Sequence, residues 1–456
     1  MKKKMFSLLL CTAMTVSALA GCGSNTAEET AESSTEEGST EEAAASADTG
    51  ADGEKIVLNV INYHVGTDYA AEYYEYLFRE FQKTEEGKNI TFNFEEIPTT
   101  DSYNQKIKLL ISSGDLPDIV LNGGNNIVEL AAESGKVADL TPYFDADPEW
   151  KATFDQSSLD FNTVDGKIYG VPVSKEISYL YYNKTLFEQA GLTAPDTAYE
   201  TWDDFFAACD TLAAADITPL GMDTADMGWL TNLWYSGLIG TNGEEGNKFM
   251  NSMYPTDYNI PVVEEAATTL QKMLADYTTA DAVGGKYDTM ATHFFNGEVA
   301  MFPNGPWMIP DIQSTEKAPE GFYDEVGVML LPGYGMEMVP TPGDMVGATD
   351  PAKIDAAVAF LKFETSLDNQ IKGLEMAGLQ PVAAEIEIPE SLLESDPLMA
   401  DAMGLMAEAK WTYGQNQAYW YQNVIDEFSI ELPELAYGNL TPEQFCTKLT
   451  EAAKKN

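Results

Sequence analysis

From Lys55 onward, short apolar runs typical of β-strands alternate with segments whose apolar residues recur at helical spacing. In the first helical segment, Tyr73, Leu77 and Phe81 lie four residues apart and form one apolar face. This alternation predicts an α/β fold with a mainly parallel sheet and helices on both of its faces. Ligands of such folds bind beyond the C-terminal ends of the strands. The predicted order is strand 56–62, helix 68–83, strand 90–95, helix 102–113 and strand 118–121.

The composition limits what the fold can bind. The chain has 456 residues, of which 44% are hydrophobic, enough for one large or two medium cores. It carries 74 acidic and 25 basic residues, a net charge of −49, and Arg79 is its one arginine. Proteins that bind nucleic acid need clustered arginine and lysine to displace counterions, so a nucleic-acid partner is excluded.

Motifs for catalysis and for metal binding are absent from the sequence. Neither of the two histidines, His64 and His293, lies in the motif of a catalytic triad, and no HExxH or CxxC pair is present. We therefore expect no enzymatic activity, no metal and no cofactor. Cys209 and Cys446 are too few for a disulfide framework, and two buried free thiols are expected rather than a bridge.

The N-terminus is typical of an exported lipoprotein. Three lysines at 2–4 precede a short apolar stretch that ends at Leu19-Ala20-Gly21-Cys22, which resembles a lipobox. This pattern predicts a signal peptide at 1–21 and a diacylated Cys22 that anchors the chain to the outer face of the cell membrane. Residues 22–54 are predicted to form an acidic disordered tether, because ten acidic residues and no basic or aromatic residue follow Cys22 there.

Four segments spread over most of the chain resemble the extracellular solute-binding proteins of family 1. Each segment alone is short, but their order and spacing together match the family's pattern. The matching residues are GDLPDIV at 114–120 with GKVADLT at 135–141, DGKIYGVP at 165–172 with YYNKTLF at 181–187, FNGEVAM at 295–301 with NGPW at 304–307, and the helix at 356–365 with GLQP at 378–381.

The resemblance implies a type II periplasmic-binding-protein-like fold, in which two α/β lobes are joined by a hinge and close around a ligand. Lobe one would hold residues 54–175 and 331–381, and lobe two residues 176–330 and 382–456. The resemblance further implies a monomer that captures a carbohydrate, with an oligosaccharide favoured, in the cleft between the lobes. The implied partners are the permease subunits of an ABC importer in the membrane.

Aromatic residues near the predicted cleft are candidates for stacking on the faces of a sugar ring. Trp307 follows a glycine and a proline just after a strand, where the resemblance implies a stacking tryptophan. Trp420 and Tyr421 cannot share one buried helical stripe, and Trp420 is predicted to face the cleft. Trp229 and Trp234 are five residues apart, so at most one of them lines the cleft, and the choice between them stays open.

Polar residues are needed to bind the hydroxyl groups of a sugar. The resemblance implies a sugar-binding role for Glu176, and the alternative is a solvated hinge carboxylate. Asn122 and Asn125 flank a pair of glycines after the third strand, where ordinary turn chemistry is the competing interpretation. Tyr63 and His64 follow the first strand and are candidate ligand contacts, although a structural role for His64 stays open.

Other classes of protein also stay open on the sequence. Among binding proteins, the solute could instead be a polyamine, a peptide or a ferric ion. A secreted glycan-active enzyme would need two carboxyl groups about 5 to 9.5 Å apart across one bond, and no pattern selects such a pair. A surface adhesin would not need a hinge driven by a ligand.

Overall fold

The strands that the structure describes form two large sheets and one small two-stranded sheet, in which the strands Thr163–Val164 and Lys167–Ile168 are antiparallel. The computed structural model describes residues 55–98, 100–121, 127–225, 227–383 and 386–456. The candidate residues Cys22, Asn122 and Asn125 lie outside these described residues. In chain order, the strands are β1 (Ile56–Asn62), β2 (Ile90–Glu96), β3 (Ile119–Val120), β4 (Thr163–Val164), β5 (Lys167–Ile168), β6 (Gly170–Val171), β7 (Lys175–Asn183), β8 (Thr218–Leu220), β9 (Val299–Asn304), β10 (Val326–Met329), β11 (Gly335–Pro340), β12 (Asp344–Val346) and β13 (Trp411–Tyr413).

Helices connect most of the strands, and a 3-10 helix at Pro306–Met308 follows β9. In chain order, the α-helices are α1 (Ala71–Phe81), α2 (Thr100–Ser113), α3 (Ile127–Ser134), α4 (Thr141–Ala146), α5 (Pro148–Ala152), α6 (Gln156–Phe161), α7 (Lys184–Gln189), α8 (Trp202–Ala214), α9 (Trp229–Gly240), α10 (Gly243–Met250), α11 (Pro261–Asp276), α12 (Tyr287–Phe295), α13 (Ile309–Gln313), α14 (Phe322–Glu325), α15 (Pro351–Glu364), α16 (Leu367–Ala377), α17 (Glu390–Ser395), α18 (Pro397–Glu408), α19 (Asn416–Tyr419), α20 (Gln422–Ala436) and α21 (Pro442–Ala453).

Lobe one is built on a five-stranded sheet in the order β2-β1-β3-β12-β6. Strand β1 is parallel to β2 and β3, whereas β12 is antiparallel to β3 and β6. The predicted stripe of α1 is confirmed, because Tyr73, Leu77 and Phe81 are all buried in the core of this lobe. The five elements predicted from residue 56 to residue 121 are therefore present, with ends that differ by at most three residues from those observed.

Lobe two is built on a six-stranded sheet in the order β13-β11-β7-β9-β8, with β10 also paired to β7. The nine-residue strand β7 organises this sheet, since it is antiparallel to β9 on one edge and to β10 and β11 on the other. Buried apolar side chains of the surrounding helices form two clusters against the sheet.

Three crossings connect the lobes in the part of the chain that the structure describes. The chain leaves lobe one between β6 and β7 and returns between β11 and β12. The third crossing follows Ala383, which pairs with Phe154 of lobe one, whereas Ile388 packs in a core cluster of lobe two.

The prediction that lobe one resumes at residue 331 is wrong. After β10 the chain makes a tight loop, closed by a bridge between Leu331 and Gly335, and then continues as β11 along the same edge of β7. Because so short a loop cannot carry the chain to another sheet, residues 331–340 belong to lobe two, and lobe one resumes near residue 341.

None of the helices that the structure describes is both long enough and apolar enough to cross a membrane.

Candidate functional site

A cavity of about 500 Å³ lies between the two lobes, beside the crossing segments. Its volume is within the range of small-molecule sites in proteins. Lobe one contributes Tyr63 and Tyr69 to the wall, the crossings contribute Glu176 and Gln380, and lobe two contributes Trp229 and Trp307. A ligand in this cavity would therefore contact both lobes at once.

Trp307 lies in the part of the wall that lobe two provides. Strand β9 ends at Asn304, and Gly305 and Pro306 lead the chain into the short 3-10 helix that carries the indole. The six-membered ring of the indole lies directly over Gly305, because a Cβ atom built there would be 2.2 Å from Cζ3 of Trp307. The side chain is only half-buried, so part of the ring remains open to the cavity.

Trp229 is the aromatic neighbour of Trp307 in the wall. The two ring centroids are 6.4 Å apart, and the ring planes are inclined by 56°. Trp229 is the first residue of α9. Asp223 caps the first turn of this helix, because its Oδ1 accepts a hydrogen bond of 3.0 Å from the backbone N–H of Leu230. Trp234 is fully buried and donates its indole N–H to the carbonyl of Gly221 at 3.0 Å. Of the two alternatives, it is Trp229 that lines the cavity.

Tyr63 and His64 follow β1, but only one of the two side chains lines the cavity. Tyr63 is 9% exposed and lines the cavity, but His64, predicted as a ligand contact, does not. The ring of His64 packs beside that of Tyr63, with centroids 3.9 Å apart, and faces α1 instead of the cavity. Its ring stacks on Tyr74 with centroids 4.1 Å apart, and its Nδ1 is 2.7 Å from Oδ1 of Asp68. His64 therefore has a structural role: it holds Asp68, which does line the cavity.

Three buried glutamines, Gln380, Gln415 and Gln417, also line the cavity. Within the described part of the chain, the Nε2 atom of each has no hydrogen-bond partner. A buried amide without a partner costs free energy, and oxygen atoms of a ligand can supply the missing bonds. The sequence prediction missed all three. The signal that could have indicated two of them is the polar run at residues 415–417, directly before the aromatic cluster.

Glu176 lies on β7 and lines the cavity beside the first crossing. Burial raises the pKa of its carboxyl group from 4.5 to about 7. On the neighbouring strand, burial and then the charge of Glu176 raise the pKa of Glu337 well above its usual value. Glu337 pairs with Ser178, whose hydroxyl donates to its Oε1 at 3.3 Å. Below neutral pH the wall thus offers a protonated carboxyl group that both donates and accepts hydrogen bonds.

We expect Glu176 to make the unliganded protein less stable as the pH rises. Its raised pKa means that the folded protein keeps this proton between pH 4.5 and about 7, whereas the unfolded chain releases it. The stabilisation is complete below pH 4.5 and is lost as the pH rises through about 7. The free energy of unfolding of the wild type, relative to Glu176→Gln, should fall by about 1 to 3 kcal/mol between about pH 4 and about pH 8.

Urea denaturation of both proteins across this range measures the difference. Burial, the larger cause of the raised pKa of Glu337, is common to both proteins, so most of its own titration cancels in the difference between the curves. Parallel curves for the two proteins would show that Glu176 titrates normally.

Trp420 does not line the cavity, and the prediction that it faces the cleft is wrong. It is 0% exposed and packs in the core of lobe two, with its ring centroid 4.6 Å from that of Tyr258. The predicted helix does not run through this residue: α19 ends before it, and α20 begins two residues later. The extended backbone at Trp420 turns its ring inward, and Gln417 and Ala418 line the cavity instead.

The two cysteines of the described part of the chain, Cys209 and Cys446, are both free and buried, which confirms the prediction. Burial is the main cause that raises the pKa of each thiol. Among the described residues, no group of three or more His, Cys, Asp or Glu side chains is arranged to hold a metal ion.

Two α/β lobes, three crossings and a cavity lined by aromatic and amide side chains between the lobes are the features of a two-lobe binding protein. Residues 66–371 match the family model described as bacterial extracellular solute-binding protein. The chain belongs to this family, as its four sequence segments predicted.

Several relatives in the family are similar to this chain over most of its length. A putative binding protein of Brucella abortus is 28% identical over 295 residues, which are 63% of this chain and 65% of the relative. A multiple sugar-binding protein of Streptococcus mutans is 26% identical over 294 residues, 61% of this chain and 65% of the relative. A lactose-binding protein of Rhizobium radiobacter is 24% identical over 373 residues, covering 79% and 80%. The chain thus spans just under two thirds of the length of the first two.

Solved structures share the fold. A chitin oligosaccharide binding protein superposes with a TM-score of 0.75 and 24% identity, covering 88% of this chain and 99% of the other. A Streptococcus pneumoniae solute-binding protein in complex with the blood group A-trisaccharide gives a TM-score of 0.73 and 23% identity, covering 88% and 100%. These likenesses confirm the predicted two-lobe fold.

Proposed function

We propose that the protein captures a carbohydrate, with an oligosaccharide favoured, in the cavity between its lobes and delivers it to the permease subunits of an ABC importer. The observation that carries this proposal is the lining of the cavity: Trp229, Trp307 and three buried glutamines all line the same cavity. Aromatic rings suit the flat C–H faces of a sugar, and side-chain amides suit its hydroxyl groups. The names of the sugar-binding and lactose-binding relatives support the same class of ligand.

The charges in the wall favour an uncharged ligand over a polyamine. Although the whole chain has a net charge of −49, the charged residues of the wall are two acids, Asp68 and Glu176, and two bases, Lys108 and Lys175. The negative charge of Glu176 is reduced further near neutral pH, because burial raises its pKa to about 7. A polycation would therefore find no excess of negative charge in this cavity.

A thermal-shift screen against a panel of neutral oligosaccharides tests the function. A ligand at 100-fold excess over its dissociation constant should add about 2.7 kcal/mol to the free energy of unfolding. Incubation of the stabilising glycan with the protein, followed by product analysis, should return it intact. Stabilisation by a polyamine or a peptide, but by no glycan, would contradict the proposal, and cleavage of the glycan would make the protein an enzyme.

We propose in addition that a lipid on Cys22 holds the protein at the outer face of the membrane. The support is the sequence Leu19-Ala20-Gly21-Cys22 behind a basic start and a short apolar stretch. Cys22→Ser should release the protein into the medium or leave it unprocessed, as measured by fractionation of cells that express each form. A processed Cys22→Ser protein that still needs detergent for its release from membranes would show that the anchor lies elsewhere.

A further inference from the structure

Two glycines from different lobes meet at Trp307, and the first of them is Gly305. A Cβ atom at Gly305 would lie 2.2 and 2.3 Å from Cζ3 and Cη2 of the indole and 2.5 Å from the carbonyl oxygen of Ile177. The backbone of Gly305 is extended, with φ −108°, a conformation open to any residue. Glycine is therefore required here for space and not for its backbone freedom: the ring occupies the place of a side chain.

The second glycine, Gly378, belongs to lobe one. It ends α16 in the left-handed conformation, with φ +66°, as glycine commonly does at helix ends. A Cβ atom at Gly378 would lie 2.7 Å from the carbonyl oxygen of Pro306 and 2.9 Å from the backbone nitrogen of Trp307. The end of α16 thus packs directly on the backbone that carries the indole, two residues before Gln380 enters the cavity wall.

These contacts matter because the ring is only partly enclosed by the protein. Trp307 is half-buried, and Trp229 is the one aromatic ring among the described residues that contacts it. A methyl group at Gly305 would need the ring to move by about 1 Å to reach ordinary van der Waals separation. Binding sites lose function when a side chain is displaced by more than about 0.5 Å from its productive position.

We propose that Gly305 and Gly378 are positioning residues of the sugar site, which hold the indole of Trp307 where a sugar ring can stack on it. This inference rests on the proposed function, and it adds that contacts from both lobes set the position of the ring. Gly305 contacts one face of the indole ring, and Gly378 packs against the backbone of Pro306 and Trp307 that carries the ring. A side chain at either position displaces the indole without removing it.

The test compares Gly305→Ala and Gly378→Ala with two matched controls. Gly135 has the same φ of +66° as Gly378 but no atom within 4 Å of its Cβ position, so Gly135→Ala reports the backbone strain alone. Gly404, inside α18, also has an empty Cβ position. By calorimetry with the strongest glycan of the screen, both site variants should bind at least about tenfold more weakly, and both controls within about twofold of the wild type.

The double variant Gly305→Ala with Trp307→Ala separates positioning from general damage. The contact with the carbonyl of Ile177 persists in this background, so the melting temperature should still fall. The affinity should not fall beyond that of Trp307→Ala alone, because the ring that the methyl group displaces is gone. Equal losses of affinity with and without Trp307, or unchanged affinity in both single variants, would overturn the inference.

A measurement without sugar keeps the inference apart from the proposed function. In protein labelled with 5-fluorotryptophan, the ¹⁹F resonance of Trp307 is the one of seven that disappears in Trp307→Phe. This resonance should shift in Gly305→Ala and in Gly378→Ala but not in the two controls. A shift in a protein that binds no glycan would refute the function alone, whereas an unshifted resonance would refute the positioning role even if glycans bind. Gly378→Ala supplies the test if Gly305→Ala does not fold.

Discussion

Replacing Trp307 with alanine should weaken the binding of the glycan at least about 30-fold and leave the melting temperature nearly unchanged. Stacking on a sugar face contributes on the order of 1 kcal/mol beyond the area that it buries, and truncating such an anchor often costs about 2 kcal/mol or more. Since each 1.4 kcal/mol is a factor of about ten, this loss corresponds to about 30-fold. The fold should persist, because the half-buried indole faces a cavity and not a core.

Trp202→Ala is the matched control for this experiment. Trp202 is also half-buried in lobe two, but it packs on Phe205 and Phe206 and donates its indole N–H to Thr241 at 2.8 Å, away from the cavity. Its removal should lower stability and spare affinity, which titration calorimetry and thermal denaturation together measure. If Trp307→Ala also lowered the melting temperature and spared the affinity, Trp307 would be a packing residue.

Replacing Trp420 with alanine should have the opposite result. The residue is fully buried, and its ring meets those of Tyr235, Tyr258 and Phe428 edge-on. Truncation of a large aromatic side chain in a core costs about 3 to 5 kcal/mol, part of it from the cavity that remains. We expect the free energy of unfolding in urea to fall by about that amount, while glycan affinity under native conditions stays within about twofold of the wild type.

Trp420→Phe refines this expectation. Within the described part of the chain, the indole nitrogen of Trp420 has no hydrogen-bond partner, so phenylalanine loses ring volume but no hydrogen bond. It should therefore cost clearly less stability than alanine does. A marked loss of glycan affinity in Trp420→Phe, with normal stability, would place this ring in the binding site after all.

The contrast between Trp307 and Trp420 shows how far the sequence predicts the site. Trp307 lies three residues after the end of β9, and a large aromatic side chain just after a strand has few packing partners. The prediction made on this ground, that Trp307 lines the cleft, agrees with its position in the cavity wall. The prediction for Trp420 assumed one continuous helix, but the chain is not helical at this residue. At the break between α19 and α20, Trp420 packs against Tyr258 of a distant segment, a contact that local spacing does not contain.

The same limit applies to the fold. Strand β1 occupies the residues that its apolar run predicted, because a buried strand is specified by its own side chains. The end of the first segment of lobe two was misplaced by about ten residues. The sheet to which β11 belongs is decided by its pairing with β7, a strand more than 150 residues earlier in the chain. Similarly, the sequence could not identify the unpartnered amides of Gln380 and Gln415 as part of the site. They line the same cavity only because the fold brings the segment before the third crossing close to the start of α19.

A crystal structure of the protein with the strongest glycan of the thermal-shift screen tests the central claim most directly. We predict a sugar between the lobes, with one ring stacked on Trp307 and hydroxyl groups bonded to the amides of Gln380, Gln415 and Gln417. A glycan bound outside this cavity, or held without contact to either Trp307 or the three glutamines, would contradict the account.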